Sequence, residues 1–320
     1  MNTLPHHAIP PEILALSHER DILRRRRQYD RADVLKKEIE DAGYAIKDNP
    51  RGAHLVILPS VEADGEVYRT VRQLPSLLDQ PDGGTFSVNI LARDNFEQVQ
   101  RCLHSVLEYA DSSHTEVEVI LVDNASRDEL VPWTAVLQNS IKHLHILRTS
   151  RTVGEAEARN IGLKRSRGKF ILLLDSRVEL TGDVFTPLAR TLADDSVGVT
   201  GLRGLSTGDL RHFEECEQAE VEAMDRLLLV FRRKLLKRVG LFDEKYRYPY
   251  YMDIDFSFAV RATGARIIVT PDLPVYCHPE LHDSEASSLS DAERTRLTRR
   301  NFYRFLDKWG DREDLLLEKE

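Results

Sequence analysis

Three cysteines in 320 residues, at positions 102, 216 and 277, are too few and too far apart for a disulfide framework or a Cys-x-x-Cys zinc site. They read as reduced thiols in or near a core. Long apolar runs are missing too: the longest have five residues, at 170–174 and 227–231, where a bilayer span needs about 20. The opening Met-Asn-Thr-Leu-Pro-His-His lacks the basic and apolar regions of a signal peptide and does not look like a transit peptide. A cytoplasmic protein without a transmembrane segment is therefore expected. Nor is there an excess of positive charge: 45 basic against 53 acidic residues give a net −8, which argues against nucleic acid as the main partner while leaving room for a local basic patch. What the chain does have is charge of both signs, 31% against a usual quarter, and length enough for one large or two modest domains.

The pattern divides the chain into residues 1–58, a linker at 59–85, a large domain at 86–283 and a helical tail at 284–320. In the first part, Pro10 and Pro11 open a helix, a break falls near Gln28 to Asp30, and Gly43 is placed to end a second helix. This predicts an α-hairpin whose basic run, Arg24 to Arg27, lies in a mixed charge field and reads as a solvated face. Residues 19–57, ERDILRRRRQYDRADVLKKEIEDAGYAIKDNPRGAHLVI, resemble the end of the C-terminal helical domain of cysteinyl-tRNA synthetases, with its "GY-x-I-x-D-x-P-x-G" tail. The likeness includes none of that enzyme's adenylate-forming or zinc-binding motifs. It implies either tRNA contact or a reused hairpin for docking, and the second is favoured. The prolines and the Gly83-Gly84 pair of 59–85 mark the linker.

From residue 86 short apolar runs (86–91, 117–122, 144–147, 170–174) alternate with stretches of helical spacing. That alternation predicts an α/β domain with a mixed, mostly parallel sheet, helices on both faces, and a ligand cleft at the carboxyl ends of the strands. Asp94, Asp123 and Asp175 follow the first, second and fourth strands. Singly, each reads as a helix cap or turn former. Together they would converge on one rim, where carboxylates can accept from a base N–H, hold a ribose hydroxyl or bind a cation.

FSVNILARDNFEQVQRCLHSV reads as a strand, a polar turn and a helix ending in Cys-Leu-x-Ser, VILVDNASRDE as an acidic turn after a strand, and VGEAEARNIGLKRSRGKF as a Gly-x-x-x-x-Arg-Asn-x-Gly helix. With these three, residues 86 to about 280 resemble a family 2 glycosyltransferase of the GT-A fold, a Rossmann-like architecture, whose "VVDDGSTD" turn and "G-x-a-x-ARN-x-G" helix the second and third match. The resemblance implies that Ala92, Arg93, Asp94, Asp123, Gly154, Arg159 and Asp175 line the donor-nucleotide site, with Asp123 on the base. Where the family has Asp-x-Asp, this chain reads Asp175-Ser176-Arg177. A guanidinium beside a divalent cation is electrostatically unfavourable. Two readings stand: Arg177 takes over the metal's task by pairing with diphosphate oxygens, or the site has degenerated and Arg177 pairs with Glu179 or solvent.

On the acceptor side, Phe231-Arg232-Arg233 and KRVGLFDEKY match a stretch that shapes the cleft, and YYMDIDFSFAVRATGARI resembles the "Glu-Asp-x-Asp" helix start. The catalytic base maps to Asp253; Met252 stands where the family has Glu, and Asp255 is either a basicity-raising neighbour or an anchor of the helix start. The plain alternative makes Asp253 an N-cap and Asp255 a first-turn acid. His278, in VYCHPE, sits where many members carry a histidine that reaches the diphosphate or its metal. Asp175 and His278 are only two candidate ligands, so Mn²⁺ or Mg²⁺ would lean on phosphate oxygens and water; no organic cofactor is implied. The tail at 291–309 reads as an amphipathic helix with Leu297, Phe302, Phe305 and Leu306 toward the core, its arginines otherwise open to anionic lipid or a polymeric acceptor. The expectation is an inverting transferase that moves a sugar from a nucleoside diphosphate, UDP by family preference, to a glycan, lipid-linked or small-molecule acceptor. The alternative is a degenerate GT-A domain used for binding or assembly. Oligomeric state is left open.

Overall fold

The computed structural model describes residues 9–49, 52–127, 129–248, 250–279 and 290–318. The opening seven residues, Pro50 of the synthetase-like tail and the 283/284 boundary lie outside them. The chain divides into two compact units, residues 1–74 with 149–151, and residues 75–148 with 152–320.

In the first unit, α1 (Pro11–Arg25) starts on a proline, whose fixed φ suits the first helical position, and ends in Arg24 and Arg25, which complement the helix dipole. It packs on α2 (Tyr29–Asp41), burying Ile13 and Leu23 against Ala32 and Ile39. Arg24 to Arg27 are exposed. Gly43, at φ 92°, turns the chain into β1 (Tyr44–Asn49), antiparallel to β2 (Gly52–Ile57). The stretch read as a linker holds a second hairpin, β3 (Val61–Ala63) and β4 (Glu66–Tyr68), turned by Asp64 and Gly65, both at positive φ. The division between units falls at Leu74, inside that stretch.

The second unit runs β5 (Gly84–Ala92), α3 (Phe96–Ser112), β6 (Val117–Asp123), α4 (Leu130–Ser140), β7 (Leu144–Thr149), α5 (Glu155–Arg165) and β8 (Gly168–Leu174). It continues through β9 (Val178–Leu180), α6 (Phe185–Thr191), β10 (Val197–Gly201), β11 (Gly204–Ser206), β12 (Glu214–Cys216), β13 (Ala223–Met224), β14 (Leu228–Arg232) and α7 (Leu236–Val239). The last elements are α8 (Met252–Arg261), β15 (Arg266–Val269), β16 (Val275–Cys277) and α9 (Asp291–Trp309). Its main sheet has the order β15-β10-β14-β8-β5-β6-β7. All neighbours are parallel except β14, which is antiparallel to both β8 and β10. This is the mixed, mostly parallel α/β sheet expected.

Strand alternation feeds two apolar layers. Phe170, Leu172 and Leu174 of β8, with Leu228 and Val230 of β14, join Leu103 and Val106 of α3 and Phe185 and Leu188 of α6. Ile171, Leu173, Leu229 and Phe231 face the other way, toward Ala156 and Leu163 of α5 and Phe256 and Val260 of α8. Helices thus cover both faces, each buried large side chain contributing about 1.5–3 kcal/mol. Gly162 lets α5 lie close to β5: a Cβ there would come within 2.3 Å of Asn89 Oδ1. Phe305 of α9 is fully buried against Ile254 and Phe258 of α8, with Leu306 and Trp309 packed alongside. No helix among the described residues is long and apolar enough to cross a membrane.

Candidate active site

The carboxyl ends of β5, β6 and β8 meet at one rim, where short polar side chains stitch three loops together. Asn124 N donates to Ala92 O (2.8 Å), Asp94 N to Ser126 Oγ (2.8 Å) and Arg127 N to Asp94 Oδ1 (2.8 Å). Asp123 is fully buried; its Oδ1 accepts from Ser126 N (2.8 Å) and its Oδ2 from Arg148 Nε (2.8 Å). Asn124 ties this turn to the loop before α5 by exchanging hydrogen bonds with Val153 O (2.9 Å) and N (2.8 Å). Asp94 and Asp123 therefore brace the rim, and Arg93 is half-buried beside them. Gly154 caps α5 where a Cβ would press within 3.0 Å of Arg247, so its absence of side chain serves packing.

The Asp-Ser-Arg turn sits on α3. Gln98 Nε2 donates to Ser176 Oγ (2.7 Å), Cys102 lies beneath Asp175 O, and Leu180 N donates to Ser105 Oγ (3.0 Å), which gives the Cys-Leu-x-Ser ending its local purpose. Asp175 Oδ1 accepts from the Arg177 backbone N–H (3.0 Å) and Nε (2.8 Å), and Oδ2 from its Nη2 (3.2 Å). Burial alone would raise the Asp175 carboxyl, but Arg177's hydrogen bonds and the charges of Arg226 and Arg177 hold it below the usual range. Pairing of β9 with β16 brings His278 alongside: its N–H donates to Arg177 O (2.9 Å), and its Nε2 lies 2.6 Å from Glu179 Oε2. Asp175, Arg177 and His278 are thus neighbours, and Glu179 contacts the histidine.

Deeper in lie charged residues that no sequence motif carries. Arg226, just before β14, is 3.6 Å from Glu155 at the start of α5, and its guanidinium stands over the Tyr250 ring at 5.8 Å. Burial works against its charge, yet Glu155, Asp175 and Asp253 raise its pKa. Arg159 Nη1 donates to Leu174 O (3.3 Å), while its Nε is buried without a hydrogen-bond partner among the described residues. Arg159, Arg226, Met252 and Asp253 line one small cavity with Leu173, Leu229 and Phe242. Half-buried Asp225 acts on Asp253 from nearby, and desolvation raises its own carboxyl. No local pattern announces Arg226, Glu155 or Asp225; their charges meet only once β14, α5 and α8 are assembled.

Two carboxylates leave the start of α8 in different directions. Asp253 is 6% exposed, and its pKa is raised to about 7 by burial first and the charge of Asp225 second, against the opposing charge of Arg226. Asp255 is turned toward α9: it accepts from Lys308 Nζ (2.9 Å to each oxygen), Trp309 Nε1 (2.8 Å) and Tyr246 Oη (3.3 Å). Asp255 does not line the cavity of Asp253; its contacts tie α8 to α9 and to Tyr246. Just before α8, Tyr250 and Tyr251 hold φ of 83° and 73°, rare for bulky residues, at a cost of about 1–3 kcal/mol each. Arg232 and Arg233, matched to the acceptor-shaping stretch, instead hold loop oxygens: Arg232 reaches Val197 O and Leu192 O, and Arg233 reaches Gln80 O (2.7 Å) and Asp82 Oδ1 (2.6 Å).

Among the described residues no three His, Cys, Asp or Glu side chains gather to hold a metal ion. With Asp175 closed by Arg177 and His278 on Glu179, the residues present do not fit a divalent cation held by the protein.

The sequence model described as Glycosyl transferase family 2 matches residues 87–257. Polypeptide N-acetylgalactosaminyltransferase 15 of Mus musculus is 30% identical over 135 residues, 40% of this chain and 21% of that protein. Among solved structures, GalNAc-T7 with UDP, GalNAc and Mn²⁺ superposes with a TM-score of 0.59 at 17% identity, over 72% of this chain and 49% of that one. S. aureus TarS 1–349 with UDP-GlcNAc does so with a TM-score of 0.51 at 17% identity, over 69% and 66%. At that identity the likeness is one of fold, GT-A. The chain spans under a third of the length of the curated relatives it matches.

Proposed function

The chain belongs to glycosyl transferase family 2, whose model spans more than half of it, and from that premise we propose that it transfers a sugar from a UDP-sugar to an acceptor hydroxyl with inversion, Asp253 acting as base. The observation that carries this is the environment of Asp253: a carboxyl buried at the start of α8, raised to about 7, lining a cavity with Arg159 and Arg226. A base whose pKa lies near the working pH combines a useful ionised fraction with proton affinity. The acceptor hydroxyl would give Asp253 its proton and attack the anomeric carbon as the nucleoside diphosphate leaves. The rim braced by Asp94 and Asp123, with Ala92 and Arg93, would hold the nucleotide. Arg177, His278, the buried guanidinium of Arg159 and the half-buried one of Arg226 would stabilise the departing diphosphate. UDP is favoured because the two structural neighbours named above carry it. A cation brought by the diphosphate would meet these arginines, so no step is assigned to it. A cytoplasmic location and a role for the N-terminal hairpin in docking complete the proposal.

The test is calorimetry with UDP, GDP and dTDP, each with and without Mn²⁺: UDP is expected to bind, and no binding of any of them at millimolar concentration would end the transferase reading. One observation favours the second reading, a binding module without turnover: Arg177 is engaged by Asp175. Turnover of a UDP-sugar that disappears in Asp253→Asn separates the two, because a binding module has none to lose.

A further inference from the structure

Beside the candidate site runs a groove lined by Tyr248, Tyr250, Tyr251 and Phe302, with Arg294 and Arg299 of α9 on its other wall and Thr295 and Thr298 between. We propose that this groove holds the acceptor, and that the acceptor is an anionic saccharide, one bearing carboxylate or phosphate groups. The proposal rests on the transferase reading and names the substrate class of that site.

Three observations carry it. The groove adjoins the site: Tyr250 lines it and also lies under Arg226 of the Asp253 cavity, while Tyr251 is the residue before α8, two positions from Asp253. Its aromatic wall is set at a backbone cost: Tyr250 and Tyr251 both take positive φ, and Asn301, itself buried, fixes the segment through Tyr248 O (3.0 Å) and Tyr250 O (3.2 Å), with Tyr248 buried and Tyr251 packed on Phe302 and Phe305. Tyr250 stays half exposed. Aromatic faces with hydroxyls at their edges suit sugar rings, which present C–H groups on one face and hydroxyls around the rim. The third observation is charge: on a chain of net −8, the wall formed by α9 offers arginine guanidiniums, which pair with carboxylate and phosphate alike. Arg294 also reaches Asp291, and Arg299 stacks on Tyr303 at 5.5 Å, contacts an anionic ligand would share or displace.

The test measures binding of oligogalacturonate, its neutral methyl ester and a phosphorylated mannan oligosaccharide to the full chain, with UDP binding measured in parallel. At least one acidic oligosaccharide is expected to bind, at least tenfold more tightly than the methyl ester. Arg299→Gln is expected to weaken it about tenfold while UDP affinity and the thermal midpoint stay put, and Phe302→Ala to weaken it about tenfold with UDP affinity kept. Which acidic probe binds identifies carboxylate or phosphate. If UDP binds but neither acidic probe does, or if the groove variants leave saccharide affinity unchanged, the groove assignment is overturned and the transferase reading survives. Loss of UDP binding in the unmodified protein would instead sink the reading beneath it.

Discussion

Asp253 and Asp255 stand two residues apart on one helix and are buried to the same degree, 6% and 7% exposed, yet they live in opposite electrostatic worlds. Side chains at i and i+2 do not share a helix face. Asp253 turns to a cavity where its nearest charged influences include another carboxylate, Asp225, and it is pushed toward neutrality. Asp255 turns to α9, where Lys308 bridges it and Asp243 (2.8 Å) and Trp309 adds a donor. The same hydrogen bonds from Lys308, with those from Arg304, overcome burial and bring Asp243 down to about 2. The difference teaches that burial alone assigns no role to a carboxylate. A satisfied one holds the fold together, whereas one beside a like charge is available to a proton.

The comparison breaks most sharply at Asp253→Asn. Turnover is expected to fall 10²- to 10⁴-fold with UDP affinity retained, measured by donor consumption and calorimetry. Stability should move the other way. Between the unfolded value of 3.8 and the folded value of about 7, the folded chain keeps a proton that the unfolded chain releases, so rising pH costs stability through that window. The asparagine variant escapes this and should be more stable at pH 8 by roughly 2–4 kcal/mol in urea denaturation. Arg177→Ala should weaken UDP about tenfold, equally with Mn²⁺ and with chelator; rescue by Mn²⁺ would show that a cation competes for the same task. Lys308→Ala tests the other carboxylate: leaving Asp255 and Asp243 without it should cost about 1–3 kcal/mol, given its partial exposure, with turnover per folded molecule nearly unchanged. The smallest effect is expected from Asp225→Asn, which removes one like charge and should lower the acidic limb of the rate profile by less than about one pH unit.

Much of this fold was legible from periodicity. The buried runs of β5, β6 and β8 and the spacing of α3 and α9 carry strong local signals, because the strands spend most of their length in the core and each helix turns one apolar stripe toward it. The hairpin at 61–68 gives little signal although Asp64-Gly65 is a recognised turn pair, since its strands have three residues each. β9 and β16, equally short, find each other across nearly a hundred residues, and no sequence window contains both. Within the site, Asp175, Arg177, Asp253 and His278 could be named because motifs carry them. Arg226, Glu155 and Asp225 could not, because their meaning lies in charges that gather from three separate elements. Asp255 was ambiguous for the same reason: its partners, Lys308 and Trp309, arrive from the far end of the chain.

The most direct test of Asp253 as the base is the pH dependence of kcat/KM for a UDP-sugar, measured from pH 5 to 9 in the unmodified protein and in Asp253→Asn. The expected result is a rate that rises with pH through a limb centred near 7 and a residual rate in the variant that lacks this limb. A flat profile in the unmodified protein, or an unchanged limb in the variant, would contradict it.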